Sequence, residues 1–201
     1  MIKAVVFDLG EVLSSPPSLI PLLAERVGTT EKLLTQHYWT GRADYDAGSP
    51  DRDYWGRLLE AVGTPEYDDA LIEEMAQLDA DTWSNLRPAA WQLLRDCRAA
   101  GAVVAVLSNS PHAMQVAADR ANWRADVDHL YVSATLGAVK PNPAIYERVT
   151  DELGLRPEEI AFTDDKQANV DGALAVGWNA RRWVSDQDTR EWLIELGVLD
   201  A

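Results

Sequence analysis

The sequence predicts an α/β fold: a doubly wound, Rossmann-like parallel sheet carrying an inserted all-helical segment. Three observations predict it. Short β-rich runs alternate with helical patterns through the second half. The first run, Ala4-Val5-Val6-Phe7, is uniformly apolar, as a strand covered on both faces must be. Residues 14–86, by contrast, hold helical periodicities and no convincing strand. Strand–helix alternation implies parallel strands, right-handed crossovers and helices on both sheet faces. At 201 residues and 47% hydrophobic, the chain can bury such a core as one domain plus an insertion.

Taken in order, "KAVVFDLGEVLSS" reads as a buried strand that stops at Asp8, with Gly10 just beyond. The helical patterns "SLIPLLAERVG", "TEKLLTQHYW" and "SPDRDYWGRLLEAVG" follow, then an acidic one from Pro65 to Leu86. Ser49-Pro50 reads as a cap followed by a first-turn proline. The stretch "TGRADYDAGSPD" between two of these helices reads as a polar loop; its Arg42, Asp44, Tyr45, Asp46 and Gly48 make it the candidate specificity surface. Alternation resumes after the helix "RPAAWQLLRDCRAAG", with strands expected at 102–108, 129–133, 160–164 and 179–184. Ser110-Pro111 and Asn142-Pro143 read as helix starts, Gly154 and Gly177 as helix ends. The expected division is a core of 1–13 plus 87–201, and a helical insertion of 14–86.

Charge narrows the function classes. Thirty-three acidic residues against 18 basic give a net charge of -15, a surface that repels nucleic acid and anionic membranes alike. An anionic substrate would therefore need local positive charge, from lysine or a metal. The single cysteine, Cys97, excludes an internal disulfide and a cysteine-based zinc cluster, and its helical surroundings make it a packed side chain. No apolar run approaches a membrane span and no signal peptide is visible, so a soluble, cytoplasmic protein is expected.

The polar residues fall where chemistry would need them. Ligands of doubly wound sheets bind beyond the carboxyl ends of the strands. Asp8 ends the first strand, Ser108 and Asn109 the second, and Asp164 and Asp165 the fourth; Lys140 follows the third. Several carboxylates at one rim repel each other unless a cation joins them, and an all-oxygen set suits Mg²⁺. Ser108 and the backbone N–H groups at Asn109 could hold phosphoryl oxygens at a helix start. One carboxylate could attack, splitting hydrolysis into two steps through an acyl phosphate.

These residues together resemble the haloacid dehalogenase-like hydrolase superfamily. "VVFDLGEVL" resembles its first motif, "VLSNS" its second, Lys140 in "GAVKPNPAIY" its third and "IAFTDDKQANVDGA" its fourth. The resemblance implies that Asp8 is the nucleophile and that Ser108 and Lys140 hold and neutralise the transferred group. It also implies that Asp164 and Asp165 serve a magnesium ion together with Asp8 and the carbonyl of Gly10. It places Asn169 near that metal shell and makes residues 14–86 a cap that closes over the site. The expected partner is a small phosphorylated substrate, a sugar phosphate among the options.

Gly10 departs from the pattern. Most phosphatases of the family carry an aspartate there as general acid and base, help typically worth about 10²–10⁴ in rate. Glu11 is the adjacent candidate substitute. Dehalogenases of the same fold also lack that aspartate and use no metal, but their fourth motif is less acidic than "TDD". Two adjacent carboxylates facing Asp8 would be costly without a cation, so the phosphatase reading is favoured. A catalytically silent binding module is the third reading. His37, His112 and His129 show no metal-ligand spacing, and no Walker motif or Ser-His-Asp set occurs. Of the eight tryptophans, Trp39, Trp55, Trp83 and Trp91 lie in or beside the insertion; helix packing explains most, a pocket wall or a homodimer interface the remainder.

Overall fold

A computed structural model describes residues 1–200. Strand β1 (Ala4–Phe7) is followed by helices α1 (Leu19–Val27), α2 (Glu31–Tyr38), α3 (Arg42–Asp46), α4 (Asp51–Ala61), α5 (Asp69–Trp83) and α6 (Pro88–Ala99). Then come β2 (Val103–Ser108), α7 (His112–Arg120), β3 (His129–Val132), the short α8 (Ser133–Leu136) and α9 (Pro143–Leu153). The chain ends with β4 (Ile160–Asp164), α10 (Gln167–Ala175), β5 (Asn179–Arg182) and α11 (Asp186–Glu195). None of these helices is long and apolar enough to cross a membrane.

All strand pairs are parallel, in the order β3-β2-β1-β4-β5. Alternate residues of the central strands feed two cores, as the two-residue period requires. Val5, Phe7, Val104 and Val106 join the apolar residues of α5, α6, α7 and α11 on one face, and those of the helices before α5 continue the same core. Ala4, Val6, Leu107 and Phe162 pack on the other face against Ile145, Tyr146 and Val149 of α9 and Ala173 of α10. The sequence progresses outward through β1, β2 and β3, then returns to place β4 on the opposite side of β1. That reversal is the switch point, where the sheet opens a crevice at its carboxyl edge. Phe7 pairs with Thr163, so Asp8 and Asp164 emerge at the same level on either side of it.

Helix starts divide by where the proline sits. Asn142 caps α9 as expected: its Oδ1 accepts from Ala144 N–H at 3.0 Å, with Pro143 in the first turn. Ser110 and Ser49 do not cap. Pro111 and Pro50 occupy the cap positions themselves, which carry no side-chain cap bond, and Ser110 Oγ is buried without a partner. The stretch "TGRADYDAGSPD" is also not a solvated loop. It contains α3, and both Arg42 and Tyr45 are buried. Their burial follows from partners supplied by other helices: Tyr45 stacks on Tyr54 at 4.4 Å, and its hydroxyl donates to Asp51 at 2.6 Å.

Candidate active site

The site is built where β1 and β4 part. Apolar β1 delivers Asp8, whose N–H donates to Thr163 O at 2.9 Å and so keeps the residue in the sheet's frame. Directly after it the chain doubles back. Leu13 and Ser14 both donate to the carbonyl of Leu9, and Glu11 N–H donates to Ser14 O at 2.7 Å. This tight turn holds Glu11 at φ +60°, a left-handed conformation that costs a non-glycine residue of order 1–3 kcal/mol.

Lys140 ties the rim together. Its Nζ donates to Asp8 Oδ1 at 2.7 Å, Asp164 Oδ2 at 2.6 Å and the carbonyl of Leu107 at 2.8 Å, using all three of its protons while nearly sealed from solvent. Burial alone would lower its pKa, but the two carboxylates outweigh that and hold it raised. Asp8 responds the other way. Desolvation raises its carboxyl to about 7, opposed by Lys140 and assisted by the negative charge of Asp164. Leu9 N–H also donates to Asp8 Oδ1 at 2.8 Å, whereas Oδ2 has no hydrogen-bond partner among the described residues.

Two positioning devices keep Lys140 there. The side-chain amide of Asn109 bonds the Lys140 backbone in both directions: Nδ2 donates to Lys140 O at 2.9 Å, and Lys140 N–H donates to Oδ1 at 2.8 Å. The Asn109 amide is thereby committed to orienting the lysine loop, and its backbone N–H has no acceptor among the described residues. Gly172 on α10 provides the second device, because a Cβ there would stand 2.9 Å from the Pro141 carbonyl oxygen and 3.0 Å from the Tyr146 ring. Only glycine lets the lysine loop approach so closely.

Asp164 is fully buried and saturated, accepting also from Lys166 N–H at 2.9 Å and from Asn169 Nδ2 at 2.9 and 3.0 Å. Asp165 is half-buried and opens to the cavity; burial and the charge of Asp164 both raise its pKa. Asp8, Asp164 and Asp165 each offer a carboxylate oxygen within 4.8 Å of the others. Three carboxylates with a single ammonium leave charge to neutralise, and hard oxygen donors at this spacing fit Mg²⁺.

A cavity of about 360 Å³ opens over this rim. Asp8, Gly10, Glu11, Ser108, Asn109, Lys140, Asp165 and Asn169 line it, so it gathers every residue predicted for catalysis, phosphate or metal except Asp164, which supports the rim from behind. Ser108 Oγ makes no hydrogen bond among the described residues. Glu11 sits at the exposed edge with its carboxylate accepting from Ser15 Oγ at 2.7 Å. The opposite wall comes from the insertion: Trp39, Arg42, Asp46 and Trp83. Of these, Arg42 and Asp46 were legible as specificity candidates, although Asp44 is exposed and Tyr45 packs inside the insertion. Ser110, Met114 and Lys166 were missed. Ser110 reads from sequence as a cap residue, but it does not cap, and it lines the cavity with its hydroxyl buried and unpartnered. The three histidines lie outside the cavity lining, and Cys97 is buried with its thiol pushed up to about 12.

The rim lies where ligands of open parallel sheets bind, and the family model that matches this chain is that of a hydrolase. It describes the haloacid dehalogenase-like hydrolases and covers residues 2–177; the chain belongs to that family. A relative, (S)-2-haloacid dehalogenase 4A of Burkholderia cepacia, is 27% identical over 90% of this chain and 82% of its own length. Another, the sesquiterpene phosphatase astK of Aspergillus oryzae, is 29% identical over 87% of this chain and 86% of its own. Among solved structures, a family member from Bacteroides thetaiotaomicron in complex with magnesium and inorganic phosphate superposes with a TM-score of 0.71. It is 20% identical, and the match covers 90% of this chain and 94% of that one.

Proposed function

We propose that the protein hydrolyses a small phosphomonoester with Mg²⁺, through a phospho-aspartate on Asp8. One observation carries the reading: three carboxylates within 4.8 Å of one another share a single ammonium at the floor of the cavity. A divalent cation answers that imbalance. Held by Asp8, Asp165 and the carbonyl of Gly10, with Asp164 exchanging one of its four hydrogen bonds to join them, it would supply positive charge for the phosphoryl oxygens. Among the relatives, the sesquiterpene phosphatase supports this direction and the (S)-2-haloacid dehalogenase the rival one.

The residues divide the work. Leu9 N–H and Lys140 hold Asp8 Oδ1, which turns the unpaired Oδ2 toward the phosphorus for attack. Ser108 Oγ and the backbone N–H of Asn109 stabilise the phosphoryl oxygens as charge shifts during transfer. The ester oxygen leaves on the side away from Asp8, toward the insertion. Water then cleaves the acyl phosphate, releasing inorganic phosphate and restoring the carboxylate. The helical segment 14–86 acts as the cap, contributing the wall that the leaving group meets. Gly10 supplies no acid for that group, so the proton its oxygen takes on leaving comes from water or another side chain.

The dehalogenase reading keeps one specific observation on its side: Lys140 already bridges Asp8 and Asp164, as a metal-free site would need. The discriminating assay offers 4-nitrophenyl phosphate and a 2-haloacid, each with and without Mg²⁺. Phosphate release that requires Mg²⁺ is expected. Halide release without metal would replace the phosphatase by a dehalogenase, and neither product would leave a binding module.

A further inference from the structure

Resting on the phosphatase reading, the cavity wall opposite Asp8 carries information about the leaving group. Arg42 and Asp46 lie one helical turn apart on α3, with Nε donating to Oδ1 at 2.8 Å. Behind them Arg42 Nη1 donates to the hydroxyl of Tyr38, which donates in turn to the fully buried Asp79 at 2.6 Å. Asp79 Oδ2 stands 3.3 Å from the same Nη1. Two carboxylates thus balance the one guanidinium, so it adds no net positive charge for a second phosphate. Ser133 of the core clamps the wall in place, its hydroxyl donating to the Asp46 carbonyl at 2.5 Å.

What remains on this ion pair is unspent hydrogen-bonding capacity. Arg42 Nη2 and Asp46 Oδ2 have no hydrogen-bond partner among the described residues, and both residues line the cavity. Ser110, only 3% exposed, also lines this space, with its unpartnered hydroxyl closed off from solvent. Trp39, 60% exposed at the cavity, and Trp83, whose N–H is spent on Tyr38 Oη at 2.9 Å, add flat apolar surface. A donor and an acceptor beside aromatic faces match a ring or chain with hydroxyls along its edge and C–H groups on its face. An isoprenoid tail would desolvate both polar groups without pairing them.

We propose that the Arg42–Asp46 pair recognises the leaving group and that this group is polyhydroxylated, a sugar or polyol. Sites built to bond a hydroxyl reject analogues that lack it far more strongly than apolar pockets reject an extra one. The test compares hexose and pentose phosphates, geranyl monophosphate and 4-nitrophenyl phosphate as substrates of the full chain with Mg²⁺. The best sugar phosphate is expected to exceed geranyl monophosphate in kcat/KM by about 10²-fold or more. In Asp46→Asn and Arg42→Lys, the ratio of sugar-phosphate to aryl-phosphate kcat/KM should fall about tenfold, roughly one hydrogen bond's discrimination. Melting curves identify a variant that fails to fold, and the isosteric Asp46→Asn decides if Arg42→Lys does. A preference for the isoprenoid ester, or a ratio that Asp46→Asn leaves unmoved, overturns the inference alone. Phosphate release from none of the three esters removes the phosphatase reading and the inference with it.

Discussion

Two buried clusters face each other across the cavity, and each sets one cation between two carboxylates. In the core, Lys140 lies between Asp8 and Asp164; in the insertion, Arg42 lies between Asp46 and Asp79. The difference lies in what each leaves unspent. The ammonium places all three protons on protein acceptors, so its free counterpart is a carboxylate oxygen, Asp8 Oδ2. The guanidinium, with five donors in a rigid fork, keeps Nη2 available. A saturated lysine orients a nucleophile, whereas a partly spent arginine can recognise a neutral group. Their scaffolds differ too. The core cluster is assembled from separate segments at strand ends, the insertion cluster from Tyr38, Arg42 and Asp46 at helical spacing plus one distant aspartate.

The most severe break is Asp8→Asn, which keeps a hydrogen-bonding side chain in the core cluster but removes its nucleophile. Steady-state assays should show kcat lower by more than about 10⁴-fold with the far-ultraviolet circular dichroism unchanged. Retained turnover would take Asp8 out of the chemistry. Next come Lys140→Met and Arg42→Met, each of which strands buried carboxylates and should cost about 3–5 kcal/mol in urea unfolding. Mg²⁺ separates them: it should restore stability in Lys140→Met by more than it stabilises the parent, and give Arg42→Met no such extra gain. Equal gains in both would argue against a metal site beside Lys140.

A smaller effect is expected of Tyr38→Phe, which removes the hydroxyl shared by Arg42, Asp79 and Trp83. Chemical unfolding should report a loss of about 1–3 kcal/mol, the cost of leaving buried polar partners short of one bond. The mildest test uses pH. Asp8 has a folded pKa of about 7 against an ordinary 3.8, so its ionisation opposes folding. That penalty is absent below about 3.8, grows through the interval and is complete above about 7. Mg²⁺ should therefore raise Tm most above pH 7, and progressively less as Asp8 becomes protonated toward pH 5. A Tm shift independent of pH would separate the metal from Asp8.

Much of the core cluster was readable before any coordinates. In a parallel sheet every strand's carboxyl end points to one rim, so a polar residue at a strand end is placed by topology alone. Asp8, Ser108, Asp164 and Asp165 needed no more than that, and Lys140 needed only its place after β3. The insertion cluster was readable as a set of polar candidates but not as a structure. "TGRADYDAGSPD" has the composition of a loop, and the partner that balances Arg42 inside the insertion is Asp79, on another helix 37 residues beyond it. Local composition does not encode such a partner.

Sequence by itself therefore determined the parallel sheet, the helical character of residues 14–86 and the chemistry gathered at the strand ends. Each follows from periodicity and chain direction, which act within a few residues. Tertiary structure alone decided that Asn109 grips the lysine loop and that Gly172 admits it. It also decided that Ser110 does not cap its helix and that Arg42, in the cavity wall, keeps one arm unspent. Those outcomes depend on which distant groups compete for the same protons and the same space, and that competition exists only once the chain has packed.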